Sequence, residues 1–406
     1  MSNTPAGNAV VAQSGGPTAV INQSLVGVTL AVREKGGTVI PKILGARHGV
    51  RGMTKDQFVD LTGVPVQTLE DVARTPSAAL GSTRDKPDAA YCEKILAGLR
   101  QRDVRYFFYI GGNDSSDTCR IVSELAQKAS YDLRCFHVPK TIDNDLKMND
   151  HTPGFASAAR FVAMAFMGDN LDNAALPGIK INIVMGRHAG FLTGASALAR
   201  RKAGDGPHLV YVPETAFDLN AFARDVGACV EKHGRCLVAV SEGVQDAAGK
   251  SIAETLASGG GGGRERDAHG NIQLSGTGAL GDLLAEHLKK ALTPAGGKPP
   301  RVRADTFGYM QRYWPDVSPV DAREAREVGA FAVECALKGE KSGSVAIERV
   351  TSAPYGSKPR LVALTDVAAK TRHMSPEFLK GSNDVSEAFL EYLRPLVGDL
   401  PRFETL

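Results

Sequence analysis

The sequence predicts an α/β protein built from two doubly wound, mainly parallel sheets. Strand and helix patterns alternate along most of the 406 residues, as in parallel sheets whose strands are joined by helices. Two apolar runs that predict buried strands, residues 104–110 and 135–138, each lead directly into an acidic loop. Because ligands bind at the carboxyl ends of parallel strands, these loops are the first candidates for a functional site.

The pattern of apolar residues predicts the elements in chain order. Strands are expected over residues 8–12, 104–110, 135–138, 179–185, 209–212 and 236–240, and helices over 21–35, 86–101, 115–128, 153–171, 219–233 and 321–338. We expect a first α/β domain over residues 1–153 and a second over 154–311, with a glycine-rich insertion at 244–270. Helices over residues 312–406 are expected to return to the first domain.

Composition excludes several classes of protein. Hydrophobic residues make up 43% and charged residues 23%, which is ordinary globular usage, and a net charge of +3 is too small to indicate nucleic-acid binding. Without an apolar run of membrane-spanning length or a signal-peptide pattern, we expect a cytoplasmic protein with no membrane partner. The six cysteines form no C-x-x-C pair, which favours reduced, buried thiols over disulfides or a zinc site.

The two acidic loops carry the chemistry. They read Ile110-Gly111-Gly112-Asn113-Asp114 and Pro139-Lys140-Thr141-Ile142-Asp143-Asn144-Asp145. Asn and Asp are common in turns for local reasons, so either loop alone carries little weight. Together they predict a site for a magnesium-bound polyphosphate and an attacking hydroxyl, because Mg²⁺ prefers oxygen ligands and an ordinary Asp is ionised at neutral pH.

Three glycine-rich segments have alternative interpretations. Gly15-Gly16-Pro17-Thr18, between a strand and a helix, can either bind an anion or form only a tight turn. The G-x-G-x-x-G at residues 276–281 lacks the preceding apolar strand and the later acidic residue of a dinucleotide site, which disfavours a nicotinamide dehydrogenase. The glycine run at 259–263 lacks a P-loop sequence and is expected to form a surface loop.

A second set of candidates follows later strands. Met185-Gly186-Arg187 ends one strand and Glu242 ends another, while Arg303 and Arg312 offer guanidinium groups suited to a terminal phosphate. Each arginine taken alone is equally consistent with a solvated surface charge.

Seven motifs, in order, resemble those of the phosphofructokinase family over about residues 8–340. They are Ser14-Gly15-Gly16, Gly81-Ser82-Thr83-Arg84, Gly111-Gly112-Asn113-Asp114, Thr141-Ile142-Asp143-Asn144-Asp145, Met185-Gly186-Arg187, Ser241-Glu242-Gly243 and Gly308-Tyr309-Met310-Gln311-Arg312. The resemblance implies two α/β domains with the active site in the cleft between them. It also implies Mg²⁺-dependent phosphoryl transfer to the 1-hydroxyl of fructose 6-phosphate, and we expect a homo-oligomer, a dimer or a tetramer.

Two positions indicate the phosphoryl donor. Family members that use ATP have glycine where this chain has Asp114 and Lys140, and the pair is similar to the branch that uses inorganic diphosphate. An aspartate at the position of the α-phosphate of ATP would repel that phosphate and fill its volume. The lysine would add positive charge for the leaving phosphate.

The resemblance also implies a role for each matching residue. Asp143 would accept the proton of the sugar hydroxyl, and Thr141 and Asp145 would position the hydroxyl and the metal-bound phosphate. Gly15, Gly16, Arg84, Asp114 and Lys140 would contact or select the donor, and Asn113 and Asp145 would hold the metal. Thr141, Ile142, Asp143, Met185, Gly186, Arg187, Glu242, Arg303, Tyr309, Met310, Gln311 and Arg312 would bind the sugar phosphate, with Arg187 also counted among the catalytic residues.

Three positions depart from the pattern of the ATP-using relatives. Asn113 replaces an aspartate assigned to magnesium, Tyr309 replaces a histidine, and Gly178 replaces an arginine that reaches across a subunit interface. An ATP-dependent phosphofructokinase and a non-catalytic sugar-phosphate sensor remain the alternatives, and sedoheptulose 7-phosphate remains open as a second acceptor.

Overall fold

The structure, a computed structural model, describes residues 4–257 and 278–405. Its strands are β1 (Asn8–Gln13), β2 (Ile43–Ala46), β3 (Phe58–Asp60), β4 (Val104–Gly111), β5 (Arg134–Pro139), β6 (Ile179–Val184), β7 (Leu209–Tyr211), β8 (Cys236–Ser241), β9 (Val302–Thr306), β10 (Ser342–Ser352) and β11 (Tyr355–Val362). The predicted glycine loop at 259–263 and the first part of the 276–281 motif lie outside the described residues.

The helices alternate with these strands over most of the chain. They are α1 (Ile21–Lys35), α2 (Val50–Thr54), α3 (Val66–Arg74), α4 (Ala89–Gln101), α5 (Asn113–Lys128), α6 (Phe155–Ala175), α7 (Phe191–Ala195), α8 (Leu219–His233), α9 (Ile252–Ala257), α10 (Ala279–Ala291), α11 (Met310–Tyr313), α12 (Pro319–Leu337), α13 (Leu364–Val367) and α14 (Glu387–Val397). Short 3-10 helices cover Ser196–Ala199 and Pro376–Phe378. Within the described ranges, no helix combines the length and apolar character needed to cross a membrane.

The chain divides into two compact units. The first comprises Met1–Ser157 and Arg312–Arg372, and the second comprises Ala158–Gln311 and His373–Leu406. Each contains its own sheet, in agreement with the predicted α/β class. The expectation of an active site in a cleft between two domains stays a prediction.

A seven-stranded sheet forms the centre of the first unit. Its strand order is β11-β10-β5-β4-β1-β2-β3, with parallel pairing from β10 to β2 and antiparallel pairing at both edges. Alternate residues of β4 face opposite layers: Tyr106 and Phe108 pack with α1 and α12, whereas Phe107 and Tyr109 pack with α4 and α5. Burial on both faces explains why β4 is almost continuously apolar.

The second unit has a smaller sheet with strand order β7-β8-β6-β9, in which all pairs are parallel. Ile179, Ile181 and Ile183 of β6 pack with side chains of α8 and α10 in one buried cluster. The carboxyl ends of β6 and β8 lie side by side, because Val184 pairs with Ser241. This edge is where a ligand site is expected.

The C-terminal region differs from the expectation of helices that pack on the first domain. Residues 342–362 instead form the antiparallel hairpin β10–β11, which extends the first sheet. Polar and apolar residues do not alternate regularly along this hairpin, so its sequence lacks the two-residue period that predicts a half-buried strand. The segment His373–Leu406 belongs to the second unit, where Phe389 contacts Phe191 with ring centroids 6.3 Å apart.

Close packing of α1 against α12 depends on two glycines. A Cβ atom on Gly27 would lie 2.2 Å from the carbonyl oxygen of Arg326, and one on Gly329 would lie 2.4 Å from that of Ser24. Real Cβ atoms do not approach a backbone oxygen so closely. The two helices therefore pack backbone to backbone at this crossing, next to the core under β1 and β4.

We expect Gly27→Ala to lower the free energy of unfolding by about 1–3 kcal/mol, because the added methyl group must push the two helices apart. Gly168→Ala is the matched control: a Cβ on this helical glycine would meet no atom of another described element within 4 Å, so alanine should be neutral or stabilising. Urea unfolding of both variants measures the difference. A Gly27→Ala protein as stable as the control would contradict this view of the helix contact.

Candidate active site

Three loops of the first unit meet at one edge of the sheet. Gln13 at the end of β1 pairs with Ile110 of β4, and Gly111 pairs with Pro139 at the end of β5. The strand order reverses between β1 and β4, since β2 lies on one side of β1 and β4 on the other. Such a reversal opens a crevice at the carboxyl edge. The Gly15 loop and both acidic loops are therefore neighbours.

The two glycines of the first loop let cations approach the backbone. Gly15 has a φ of +74°, and its Cβ would lie 2.9 Å from Nζ of Lys140. A Cβ on Gly16 would lie 2.7 Å from Nη1 of Arg312. The Gly15 N–H donates to the carbonyl oxygen of Thr83 at 2.9 Å, which ties this loop to the segment that carries Arg84.

Lys140 is buried among other cations. Its Nζ donates to the carbonyl oxygen of Gly16 at 2.8 Å. Burial, together with the nearby Arg84 and Arg312, lowers the pKa of Lys140 to about 7, although Asp143 and Asp145 partly oppose the shift. Burial and the two neighbouring guanidinium groups therefore disfavour the charged form of this lysine. An anionic ligand would relieve this repulsion and restore the charge of the lysine.

Asp114 lies in the first turn of α5, with Gly112 as the N-cap. Its carboxylate is exposed and lies 3.3 Å from Nζ of Lys86. A negative charge is favourable at a helix N-terminus. Lys86 lies only two positions after Arg84, but no local sequence signal identifies it as the partner of Asp114.

Hydrogen bonds hold the first residues of the second acidic loop in place. Thr152 donates through Oγ1 to the carbonyl oxygen of Thr141 at 2.8 Å, and the hydroxyl of Thr141 accepts the N–H of Asp143 at 3.1 Å. Ile142 is 4% exposed and anchors the loop in the core. These contacts present Asp143 and Asp145, which are half-buried, on the same short segment.

Asn113 and Asp145 bring two oxygen-bearing side chains together. Nδ2 of Asn113 donates to Oδ2 of Asp145 at 3.4 Å. Oδ1 of Asn113 is buried and has no hydrogen-bond partner among residues 4–257 and 278–405. A buried carbonyl oxygen without a partner, beside a carboxylate, fits the ligand preference of Mg²⁺.

In the second unit the structure brings together four of the predicted residues. The hydroxyl of Ser241 donates to the carbonyl oxygen of Gly186 at 2.6 Å, and the Glu242 N–H donates to that of Val184 at 2.9 Å. A Cβ on Gly243 would lie 1.9 Å from the carbonyl oxygen of Arg187. Met185, Gly186, Arg187 and the buried Glu242 thus share the carboxyl edge of the second sheet.

The residues of the motif at 308–312 are divided between the two units. Oε1 of the buried Gln311 accepts the N–H of Met185 at 3.2 Å, so Gln311 positions the turn after β6. Tyr309 and Met310, in the same unit as Gln311, are 39% and 44% exposed. Arg312 belongs to the first unit and lies against Gly16. The structure therefore places Arg312 beside the predicted donor loop.

Arg303 lies away from the other residues of this edge. It pairs with Lys180, near the start of β6, whereas Met185 follows the end of β6. Five residues of strand correspond to roughly 16 Å. Its Nη2 donates to the carbonyl oxygen of Leu176 at 3.3 Å and lies 3.7 Å from Asp172. Within this unit, Arg303 is not brought to the carboxyl edge.

The cysteines are free and buried, as the sequence predicts. Cys229 and Cys236 come together with His208, with ligand atoms within 4.8 Å of one another, a grouping that their linear spacing does not reveal. The Leu237 N–H donates to Nδ1 of His208 at 2.9 Å. Metal binding through that nitrogen would break a backbone hydrogen bond.

Comparison with known proteins agrees with this arrangement. Residues 8–336 match the family described as phosphofructokinase. The chain is 57% identical to a pyrophosphate–fructose 6-phosphate 1-phosphotransferase of Rhodospirillum rubrum, across 97% of this chain and 94% of that protein. An ATP-dependent 6-phosphofructokinase of Amycolatopsis methanolica is 30% identical across 76% of this chain and 64% of its own length.

Solved structures give the same result. A pyrophosphate-dependent phosphofructokinase from Marinobacter aquaeolei superimposes with a TM-score of 0.83 at 32% identity, covering 98% of this chain and 94% of that one. A second, from Nitrosospira multiformis, also has a TM-score of 0.83, at 33% identity and the same coverage. The chain therefore belongs to the phosphofructokinase family, and within it to the pyrophosphate-dependent branch.

Proposed function

We propose that this protein transfers a phosphoryl group from inorganic diphosphate to the 1-hydroxyl of fructose 6-phosphate, giving fructose 1,6-bisphosphate and phosphate. The observation that carries the proposal is the buried Lys140, whose ammonium group lies against the Gly15–Gly16 loop and close to Arg84 and Arg312. Such a concentration of positive charge fits a small, highly charged donor that has no nucleoside to anchor it.

Asp143 accepts the proton of the 1-hydroxyl as that oxygen attacks the nearer phosphorus. The bond between this phosphorus and the bridging oxygen breaks, and its electron pair leaves with the second phosphate. Lys140 stabilises the charge that grows on the leaving phosphate. Thr141 holds the base in place, because its hydroxyl accepts the N–H of Asp143.

Mg²⁺ would be held by Asn113 and Asp145, and when bound it would neutralise part of the charge of the diphosphate. The unpartnered Oδ1 of Asn113 supports this assignment.

The sugar phosphate would be bound by Met185, Gly186, Arg187 and Glu242, with Tyr309 and Gln311 of the following motif. Glu242 is buried and can accept hydrogen bonds from sugar hydroxyls. Arg312 would contact phosphate from its position beside Gly16. The reaction exchanges a P–O–P bond for a sugar phosphate ester, and we therefore expect it to be reversible. We expect the enzyme to be a homo-oligomer in the cytoplasm and to serve both glycolysis and gluconeogenesis.

The test is a coupled assay on the purified protein with fructose 6-phosphate and Mg²⁺, comparing diphosphate with ATP. We expect turnover with diphosphate and little with ATP. Asp143→Asn should lose several orders of magnitude in kcat while still binding fructose 6-phosphate, because the amide cannot accept the hydroxyl proton. Turnover with ATP alone would favour an ATP-dependent enzyme, and sugar-phosphate binding without turnover would favour a sensor.

Donor choice should depend on Asp114. We expect Asp114→Gly to gain measurable ATP use and to lose diphosphate use, because the change removes a negative charge and side-chain volume where an α-phosphate would lie. Lys86→Met is a control for the ion pair, since it removes the partner of Asp114 but leaves the carboxylate in place. The kcat/KM ratio for the two donors measures the effect. An unchanged ratio in Asp114→Gly would count against this explanation.

Diphosphate binding should take up a proton at Lys140. In the ligand-free protein the pKa of Lys140 is about 7, and a bound anion raises it, so the contribution of Lys140 to affinity should be fully present below pH 7 and be lost as the pH rises above it. The fall is limited to about tenfold per pH unit. Calorimetry in two buffers of different ionisation enthalpy measures the proton uptake. Equal uptake in wild type and Lys140→Met would show that the proton binds elsewhere.

A further inference from the structure

The loop that carries Asp143 and Asp145 contains an unfavourable backbone conformation. Asn144, between the two aspartates, has a φ of +58° and is fully buried. Asparagine tolerates the left-handed region better than most residues, yet the conformation still needs support from its surroundings. The directions of both neighbouring aspartates depend on whether Asn144 keeps it.

Arg372, more than 220 positions later in the sequence, supplies that support. Its backbone N–H donates to the carbonyl oxygen of Asp145 at 2.7 Å. Its Nη1 donates to Oδ1 of Asn144 at 3.3 Å and to the carbonyl oxygen of Asp150 at 2.6 Å. The preceding Thr371 forms an antiparallel bridge with Leu146. One residue thus binds the loop through its main chain and its side chain.

Asp150, whose carbonyl oxygen accepts a hydrogen bond from the Arg372 guanidinium, is itself held in place by several contacts. The Asp150 N–H donates to the carbonyl oxygen of Ile347 in β10, and its carboxylate accepts from Arg349 at 3.1 Å and lies 2.8 Å from Nδ1 of His151. Nε2 of the buried His151 lies 2.6 Å from Glu324 of α12. Asp150 is therefore anchored to the sheet and to a helix, and Arg372 connects this anchored point to Asn144.

We infer that Arg372 is a positioning residue for phosphoryl transfer, which holds Asn144 in its left-handed conformation and thereby aims Asp143 and Asp145. The inference rests on the proposed function of that loop. Arg372 acts through Asn144 and the loop backbone. Because misplacing a catalytic group by about 1 Å can cost on the order of 100-fold in rate, loss of this support should appear mainly in kcat.

The test compares Arg372→Met with Arg360→Met in the full-length protein. Arg360 is a matched control, because its Nη2 also donates to a carbonyl oxygen of the same loop, that of Met148, at 2.9 Å, but beyond the two aspartates. We expect Arg372→Met to lower kcat by about 10- to 100-fold with the KM values for diphosphate and fructose 6-phosphate within about threefold of wild type. Arg360→Met should keep kcat within about threefold.

Two further measurements separate positioning from general stability. Arg372→Lys keeps a cationic donor and should recover part of kcat; it also carries the test if Arg372→Met does not fold. Hydrogen–deuterium exchange should rise over residues 142–147 in Arg372→Met and stay at the wild-type level there in Arg360→Met.

Equal effects of the two Met variants on kcat, or a loss expressed only in KM, would overturn the inference. So would unchanged exchange over residues 142–147 in Arg372→Met. A wild-type protein without diphosphate-dependent turnover would refute the proposed function instead, and the exchange contrast would still show whether Arg372 orders the loop.

Discussion

A lysine buried among other cations is the constraint around which the first unit is arranged. Nζ of Lys140 donates to the carbonyl oxygen of Gly16 and lies 2.9 Å from where a Cβ on Gly15 would be. It reaches that position because β1, β4 and β5 end at the same edge. Burial and the neighbouring arginines lower the pKa of its ammonium to about 7. In the free protein this arrangement is electrostatically unfavourable, and an anion bound between the loops would make it favourable.

The sequence was sufficient to predict the parts of the fold that depend on local pattern. The apolar residues 104–110 predict a buried strand because both faces of β4 are covered by helices. The loops after β4 and β5 were predicted to form one site because ligands bind at the carboxyl ends of parallel strands, whereas only the family resemblance linked the Gly15 loop to them. The hairpin β10–β11 was missed, since half-exposed edge strands with charged residues show no clear alternation.

Contacts between distant parts of the chain were beyond prediction. Nothing in the local sequence of Arg372 connects it to Asn144, and the pairing of Lys86 with Asp114 depends on how two loops fold toward each other. The motif at residues 308–312 shows a related limit. The family resemblance implies that Arg303 and Arg312 bind the sugar phosphate, but the sequence did not show that the guanidinium of Arg312 lies beside Gly16 or that Arg303 lies near the start of its strand.

The conformation of Asn144 restricts how this chain can vary. A β-branched or aromatic residue at this position would meet steric repulsion in the left-handed region, and alanine would lose the acceptor for the guanidinium. Glycine would satisfy the backbone but would leave the loop more freedom, and only aspartate offers both tolerance and an acceptor oxygen. Evolutionary drift at this single position is therefore confined to a very small set of side chains, although Asn144 itself carries out no chemistry.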